Sequence, residues 1–128
     1  MTEKELKDRT KQFALRIMKL VNALPKTPAG RSVGSQLVRS GTSVAANYRA
    51  ACRGRSKAEF IAKLGIVEEE ADESCFWLEL IIDGALLKES LVLPLLKEAN
   101  ELTAIFASSR ISAKRTGAIA NRKSAIAN

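Results

Sequence analysis

The sequence predicts an all-α protein, an up-down-up-down antiparallel bundle of four helices. Aromatic residues make up only 5% of the chain and prolines number 3, which leaves little vocabulary for a β fold. Apolar residues recur at steps of three and four along most of the length. Capping residues and short Gly- or Pro-bearing connections interrupt that rhythm, and connections so short make neighbouring helices antiparallel. At 128 residues the chain fits one domain with a real core and is too short for two.

Thr2 followed by Glu5 reads as a capping box. Leu6, Phe13, Ile17, Leu20 and Leu24 then repeat at helical spacing until Pro25, so the first helix runs from about Glu3 to Leu24. Thr27 caps a second helix with Pro28 at its first position, where a missing N–H does no harm, and the pattern persists to about Arg53 before Gly54. Ser56 with Glu59 makes another capping box. The third helix follows it with Phe60, Leu64, Val67, Ala71, Ser74, Leu78, Ile81 and Ala85, alternating steps of four and three in the manner of bundles. A turn is expected around Ser90 to Pro94, after which Leu95, Ala99, Leu102 and Phe106 mark a fourth helix to about Ser109. The bundle thus occupies residues 1–112. Residues 113–128, with Lys114, Arg115, Arg122 and Lys123 among small residues, read as a disordered basic tail.

Composition narrows the function classes. Histidine is absent, which removes the commonest general base, the Ser-His triad, His metal sites and the Glu-x-x-His pairs of di-iron bundles. An enzyme is not expected, nor a cofactor or metal: Glu68, Asp72, Glu79 and Asp83 share one side of the third helix, but no supporting loop or His accompanies them. Met1 to Arg9 lacks an apolar signal core and the apolar runs are too short to span a bilayer, so a cytoplasmic protein without membrane partners is expected. Cys52 and Cys75 would lie ~25 Å apart along consecutive antiparallel helices, too far for a disulfide, so both are read as free thiols.

The net charge of +7 favours anionic partners. Residues 32–57 carry five Lys or Arg and no acid, whereas 58–90 carry two against nine acids. Within the second helix Val33, Leu37, Val44, Tyr48 and Cys52 share the core side with Gly30, Gly34 and Gly41, whose missing side chains point to close helix approach. Gln36, Ser40, Ser43 and Asn47 form a polar stripe suited to partly buried hydrogen bonds. Arg31, Arg39, Arg49 and Arg53 form a third stripe within about 80° of arc, a row of bidentate phosphate or carboxylate donors, and Arg55 and Lys57 extend the basic set beyond the helix end. Such a row serves as a solvated face, a nucleic-acid contact or a protein contact. Neither stacking aromatics nor a glycine-rich phosphate loop accompanies it, so backbone contact rather than base readout is expected.

The third helix has apolar groups on two sides. Ile66, Phe76, Trp77, Leu80 and Leu87 fall largely opposite the core repeat, and copies of the same chain are the commonest cover for such a side. A homo-oligomer is expected, with the acidic stripe of the third helix meeting arginines between subunits.

The run Gln36-Leu37-Val38-Arg39-Ser40-Gly41-Thr42-Ser43-Val44-Ala45-Ala46-Asn47-Tyr48-Arg49, followed by Ala58-Glu59-Phe60-Ile61-Ala62-Lys63-Leu64 and Trp77-Leu78-Glu79, resembles the bacterial four-helix-bundle family of ribosomal RNA intervening-sequence proteins, also called S23 ribosomal protein-like. The resemblance covers roughly residues 5–110. That family includes the accessory variability determinants of diversity-generating retroelements. Similarity to them implies a ring-shaped homopentamer with a basic surface that engages RNA or DNA and, in the retroelement case, a reverse transcriptase. Gln36, Arg39, Ser40, Ser43 and Asn47 match the family's shared pattern. Where many members continue into a Glu-Gly end, this chain reads Tyr48-Arg49-Ala50-Ala51-Cys52-Arg53-Gly54, with basic residues in place of an acid. Two functions follow as expectations: an oligomeric scaffold that binds nucleic acid through its phosphates, or an interaction adaptor whose arginines meet acidic proteins.

Overall fold

The structure, a computed structural model, describes the backbone of residues 1–127 and the side chains of residues 1–117. Four helices make it up: α1 (Glu3–Asn22), α2 (Pro28–Cys52), α3 (Lys57–Asp83) and α4 (Glu89–Ala127). The first three start where the capping residues predict. Thr2 Oγ1 accepts the Glu5 N–H at 3.1 Å while the Glu5 carboxylate accepts the Thr2 N–H at 3.1 Å. Thr27 Oγ1 accepts the Gly30 N–H at 3.1 Å, with Pro28 opening the helix. Ser56 Oγ accepts the Glu59 N–H at 3.1 Å, but the Glu59 carboxylate turns to the Arg55 N–H at 3.2 Å, so the expected reciprocal box is displaced by one residue. Helix α1 stops two residues short of Leu24, because the N–H groups of Ala23 and Leu24 tighten onto the carbonyls of Leu20 and Val21 ahead of Pro25.

The third connection differs from expectation. Helix α3 closes in a Schellman motif, with Leu86 N–H on the Ile81 carbonyl at 2.9 Å, Ala85 N–H on the Ile82 carbonyl at 3.0 Å, and Ala85 in the left-handed region at φ 52°. The turn therefore lies around Gly84 to Lys88, and Pro94 sits inside α4. As the sixth residue of that helix, Pro94 forfeits one hydrogen bond to Ser90 near the start, where loss is tolerated best. The far end also departs: α4 runs to Ala127 instead of ending near Ser109. This corrects the expected disordered tail over residues 113–127. Propagating an established helix through an alanine-rich segment carries no nucleation penalty. Packing continues too, since a Cβ at Gly117 would lie 3.8 Å from Lys57 Cδ. The side chains of Arg122 and Lys123, and residue 128, lie outside the described residues.

Each helix packs on its chain neighbours, and α1 closes the bundle against α4; α1 and α3 lie diagonally opposite. Phe13, Ile17, Leu37, Val44, Leu64, Val67, Leu78, Ile81, Leu102 and Phe106 fill the core and are fully buried, while Leu20 packs only half-buried at its edge. Thr10 joins them, satisfied by the carbonyls of Leu6 and Lys7. The glycines of α2 do what their spacing predicts at Gly41, where a Cβ would come within 2.8 Å of Ile17 Cγ1. Across the α1–α4 seam Arg9 holds Glu98 with two hydrogen bonds, at 2.8 and 2.6 Å, and Glu101 with one at 2.7 Å. Both cysteines are free, as expected. Burial raises both thiols above their ordinary pKa. Cys75 Sγ lies 3.3 Å from Asn100 Oδ1.

Candidate nucleic-acid interface

The arginines of α2 share an arc but not a single surface. Arg39 turns toward α3, where its guanidinium reaches both carboxylate oxygens of Glu73 at 2.7 Å and Glu70 at 3.4 Å. Hydrogen bonding from Arg39 is the largest influence holding the Glu73 carboxyl below its ordinary pKa, and the Trp77 indole N–H, 3.3 Å from the same carboxylate, adds to it. Arg39 is therefore a clasp on the α2–α3 seam. The acids of that clasp are Glu70 and Glu73, outside the stripe of Glu68, Asp72, Glu79 and Asp83; Glu68 instead pairs with Arg110 of α4 at 3.1 Å. The expectation that the acidic stripe as a whole awaits arginines of other subunits is corrected for Glu68. Steric reach explains this, because Glu70 and Glu73 border α2 whereas Glu68 borders α4.

Arg49 and Arg53 take the other direction. They line an open groove of about 520 Å³ between α1 and α2, together with Lys7, Asp8, Lys11, Thr42, Ala45 and Ala46. Among the described residues no carboxylate lies within salt-bridge distance of Arg49 or Arg53. Lys7 has only a loose contact with Glu3 at 3.8 Å, one turn away on an exposed helix face. The small side chains of Ala45 and Ala46 line the groove between α1 and α2 without filling it. The lysines were not singled out from sequence. Their i, i+4 spacing beside the core residues of α1 was the available signal, and only the packing of α1 on α2 joins the two pairs.

Arg31 lies apart, eighteen residues and roughly 27 Å before Arg49. It lines a second groove with Lys26, Val21, Leu24 and Val38 near the α1–α2 connection. Arg55 and Lys57 are exposed at the α2–α3 connection, near the Arg53 end.

The polar stripe divides as well. Ser40 is fully buried and meets Ser74 of α3 Oγ to Oγ at 2.9 Å, each hydroxyl also within reach of a carbonyl of its own helix. Asn47 Nδ2 donates to the Ser43 carbonyl at 2.9 Å, both residues being half-buried, whereas Gln36 is exposed. Ser40 thus lets α2 and α3 approach with their polar groups satisfied. On α3, Ile66, Phe76 and Leu80 are exposed at 38%, 51% and 36%. Trp77 and Leu87 are corrected: both pack partly against the bundle's own core, Trp77 with its ring edge-on to Phe76 at 5.0 Å.

Among the described residues no group of His, Cys, Asp or Glu could hold a metal ion, and no helix is long and apolar enough to cross a membrane. The fold and surface define a class: a small four-helix bundle whose distinguishing features are an α1–α2 basic groove, a hydrogen-bonded α2–α3 seam and an apolar outer side on α3. The chain belongs to the family described as 23S rRNA-intervening sequence protein, which it matches over residues 2–108. Its fold is similar to the crystal structure of a protein of unknown function from the S23 ribosomal protein family of Bacteroides thetaiotaomicron, at TM-score 0.79 and 33% identity, over 86% of this chain and 98% of that one. No curated protein matches. Family and fold are those that the run from Gln36 to Arg49 implies.

Proposed function

We propose that the protein is a non-enzymatic oligomeric scaffold that holds RNA or DNA by the phosphate backbone in the α1–α2 groove. The observation that carries this reading is the convergence of Lys7, Lys11, Arg49 and Arg53 on one groove that contains a single acid, Asp8. Two rows of cations, each spaced one helical turn, present charge along a line and not at a point, which suits a polyanion better than a small anion. The shortage of aromatic side chains and of donors on rigid loops agrees with contact that does not read bases. Self-association, supported by the exposed Ile66, Phe76 and Leu80, would repeat the groove and turn weak contacts into avid binding.

The test is equilibrium binding of RNA and DNA oligonucleotides across a salt series. Affinity should fall steeply as salt rises. Arg49→Glu with Arg53→Glu should weaken all sequences alike and flatten the slope of log K against log salt by roughly 1.4 on single strands to 1.8 on duplex. Unchanged binding by the double variant would sink the groove assignment. A second reading, an adaptor for protein partners, is favoured by the exposed apolar and acidic side of α3; it predicts no nucleic-acid binding by the wild type even at low salt.

A further inference from the structure

Helix α4 outruns the bundle it belongs to. Arg110 still packs on α3, paired with Glu68 at 3.1 Å and with its Cδ 3.8 Å from where a Cβ on Gly65 would stand. Two turns later Gly117 has come beside Lys57, the first residue of α3. The other helices have ended by then: α2 stops at Cys52, and Met1, ahead of α1, shares a surface hollow with Ser108 and Ser109. From Gly117 the helix continues to Ala127, roughly 15 Å beyond the start of α3. This segment lies outside the family match, which ends at residue 108.

Its chemistry is one-sided. After Glu101 the chain has no acid, and Lys114, Arg115, Arg122 and Lys123 follow. Lys114 and Arg115 are exposed and, among the described residues, have no carboxylate within salt-bridge distance. The helix dipole does not account for them, because its field falls off within the last turn and both stand about three turns before Ala127. They join Arg53, Arg55 and Lys57, all exposed at this end of the bundle. The acids here oppose them weakly: Glu5 and Glu59 turn their carboxylates onto the N–H groups of Thr2 and Arg55, and Glu3 faces Lys7 at 3.8 Å. Arg53 lines the α1–α2 groove and Lys57 stands against α4 at Gly117, so the cations lead from the groove across the α2–α3 connection onto α4. The groove itself is short. Lys7 to Lys11 and Arg49 to Arg53 each span about 6 Å of helix, the reach of about two phosphates on one strand of a duplex.

We infer that the part of α4 after Arg110 is a second phosphate-binding arm. A nucleic-acid strand held in the α1–α2 groove leaves it at Arg53, passes Arg55 and Lys57, and continues along α4 over Lys114 and Arg115. This inference rests on the nucleic-acid reading above and specifies where the ligand goes beyond the groove. The arm lengthens the footprint, so the protein selects long polyanions over short ones. A lipid surface is the poorer partner, because a helix that lies on a membrane presents Trp, Phe or Leu, and residues 109–127 contain none of them.

Charge reversal in the full chain tests the arm. One variant carries Lys114→Glu and Arg115→Glu; a control carries Lys88→Glu and Lys97→Glu, the same change of net charge on exposed residues nearer the opposite end of α4. Far-UV circular dichroism verifies that both keep wild-type helicity. Binding of single-stranded oligonucleotides from about five to about twenty nucleotides is measured across a salt series. Wild-type affinity should climb with length over that range. In the arm variant the climb should stop at a shorter length, affinity for the longest strand should fall by on the order of tenfold, and the slope of log K against log salt should flatten by about 1.4. The control should match the wild type in all three respects. An arm variant indistinguishable from the control overturns the arm and leaves the groove standing. So does an arm variant that loses binding to phosphatidylserine vesicles while its oligonucleotide binding stays intact, which would make the arm a lipid contact. If the arm variant loses oligonucleotide binding while Arg49→Glu with Arg53→Glu keeps it, the groove reading fails and the continuous path fails with it. A wild type that binds no oligonucleotide even at low salt overturns both.

Discussion

Substituting Gly41 by alanine measures the close approach of α1 to α2. A Cβ there would stand 2.8 Å from Ile17 Cγ1, 2.9 Å from Cγ2 and 3.1 Å from Cβ. Carbon atoms pack at about 3.5–4.0 Å, so α1 and α2 would have to part by more than half an ångström. Ile17 cannot yield, because it is fully buried and a β-branched side chain has one strongly preferred rotamer in a helix. Overpacking of this kind costs about 1–3 kcal/mol. Three simultaneous contacts, one of them to Cβ, put Gly41 in the upper part of that range. Alanine regains about 1 kcal/mol of helix propensity, which leaves a net loss of roughly 1–2 kcal/mol. For a chain of this length that is a fall of roughly 4–7 °C in Tm.

Gly65 supplies the control. It lies inside α3, and a Cβ there would meet only Arg110 Cδ at 3.8 Å, an ordinary contact. Gly65→Ala should therefore stabilise by about 0.5–1 kcal/mol. Urea and thermal unfolding followed by circular dichroism read both variants. Should Gly41→Ala also stabilise, α1 does not reach α2 at this point and the explanation of the α2 glycines is wrong.

Ala85 occupies the left-handed position of the Schellman turn, a conformation that costs an L-residue about 1–2 kcal/mol. Ala85→Gly should raise stability by about 0.5–1 kcal/mol despite adding backbone freedom to the unfolded chain, and a loss in urea midpoint would contradict the turn. Glu98→Gln should cost about 1–2 kcal/mol at pH 7 by breaking the part-buried pair with Arg9. The Glu98 carboxyl is lowered, chiefly by hydrogen bonding from Arg9. Its contribution is therefore present above the unfolded value near 4.3 and lost as pH falls through the lower folded value. Stability curves of wild type and variant should converge only once the pH has fallen through that lowered folded value, and a pH-independent gap would refute the linkage.

Much of the fold is legible because caps and periodicity are local. Thr2, Thr27 and Ser56 mark helix starts by chemistry that needs no tertiary information, and steps of three and four select the core of α3 whatever its neighbours are. The misread elements depend on something beyond local pattern. Pro94 looks like a breaker, yet the Schellman turn at Ala85 has already reversed the chain, and a helix can carry a proline near its start. Residues 113–127 lack an apolar stripe and so read as a tail, although a helix already formed needs no stripe of its own to propagate. The candidate site shows the same division. A helical wheel groups Arg31, Arg39, Arg49 and Arg53 by angle but says nothing of height or of which neighbour each one meets. Lys7 and Lys11 became part of the groove only through the packing of α1 on α2.

Arg39 is where the two views of the arginine row give opposite results. If the row is one phosphate-binding unit, removing any member weakens nucleic-acid binding similarly. If Arg39 serves the α2–α3 seam, its loss acts on Glu73 and on the indole that shares that carboxylate. The chain has 1 tryptophan, so its fluorescence reports on Trp77 alone. In the wild type the emission should change as acid protonates Glu73, at a pH below the ordinary carboxylate value because Arg39 stabilises the charged form. Arg39→Gln removes the largest of the hydrogen-bonding influences, so that transition should move to higher pH. Arg49→Glu with Arg53→Glu should leave it in place, since those side chains line the α1–α2 groove and not the seam. Binding should respond the other way, with oligonucleotide affinity nearly preserved in Arg39→Gln and lost in the double reversal. An Arg39→Gln variant whose fluorescence titration is unmoved and whose binding falls as far as that of the double reversal would restore the row as a single surface, with the ion pair to Glu73 secondary to its contact with phosphate.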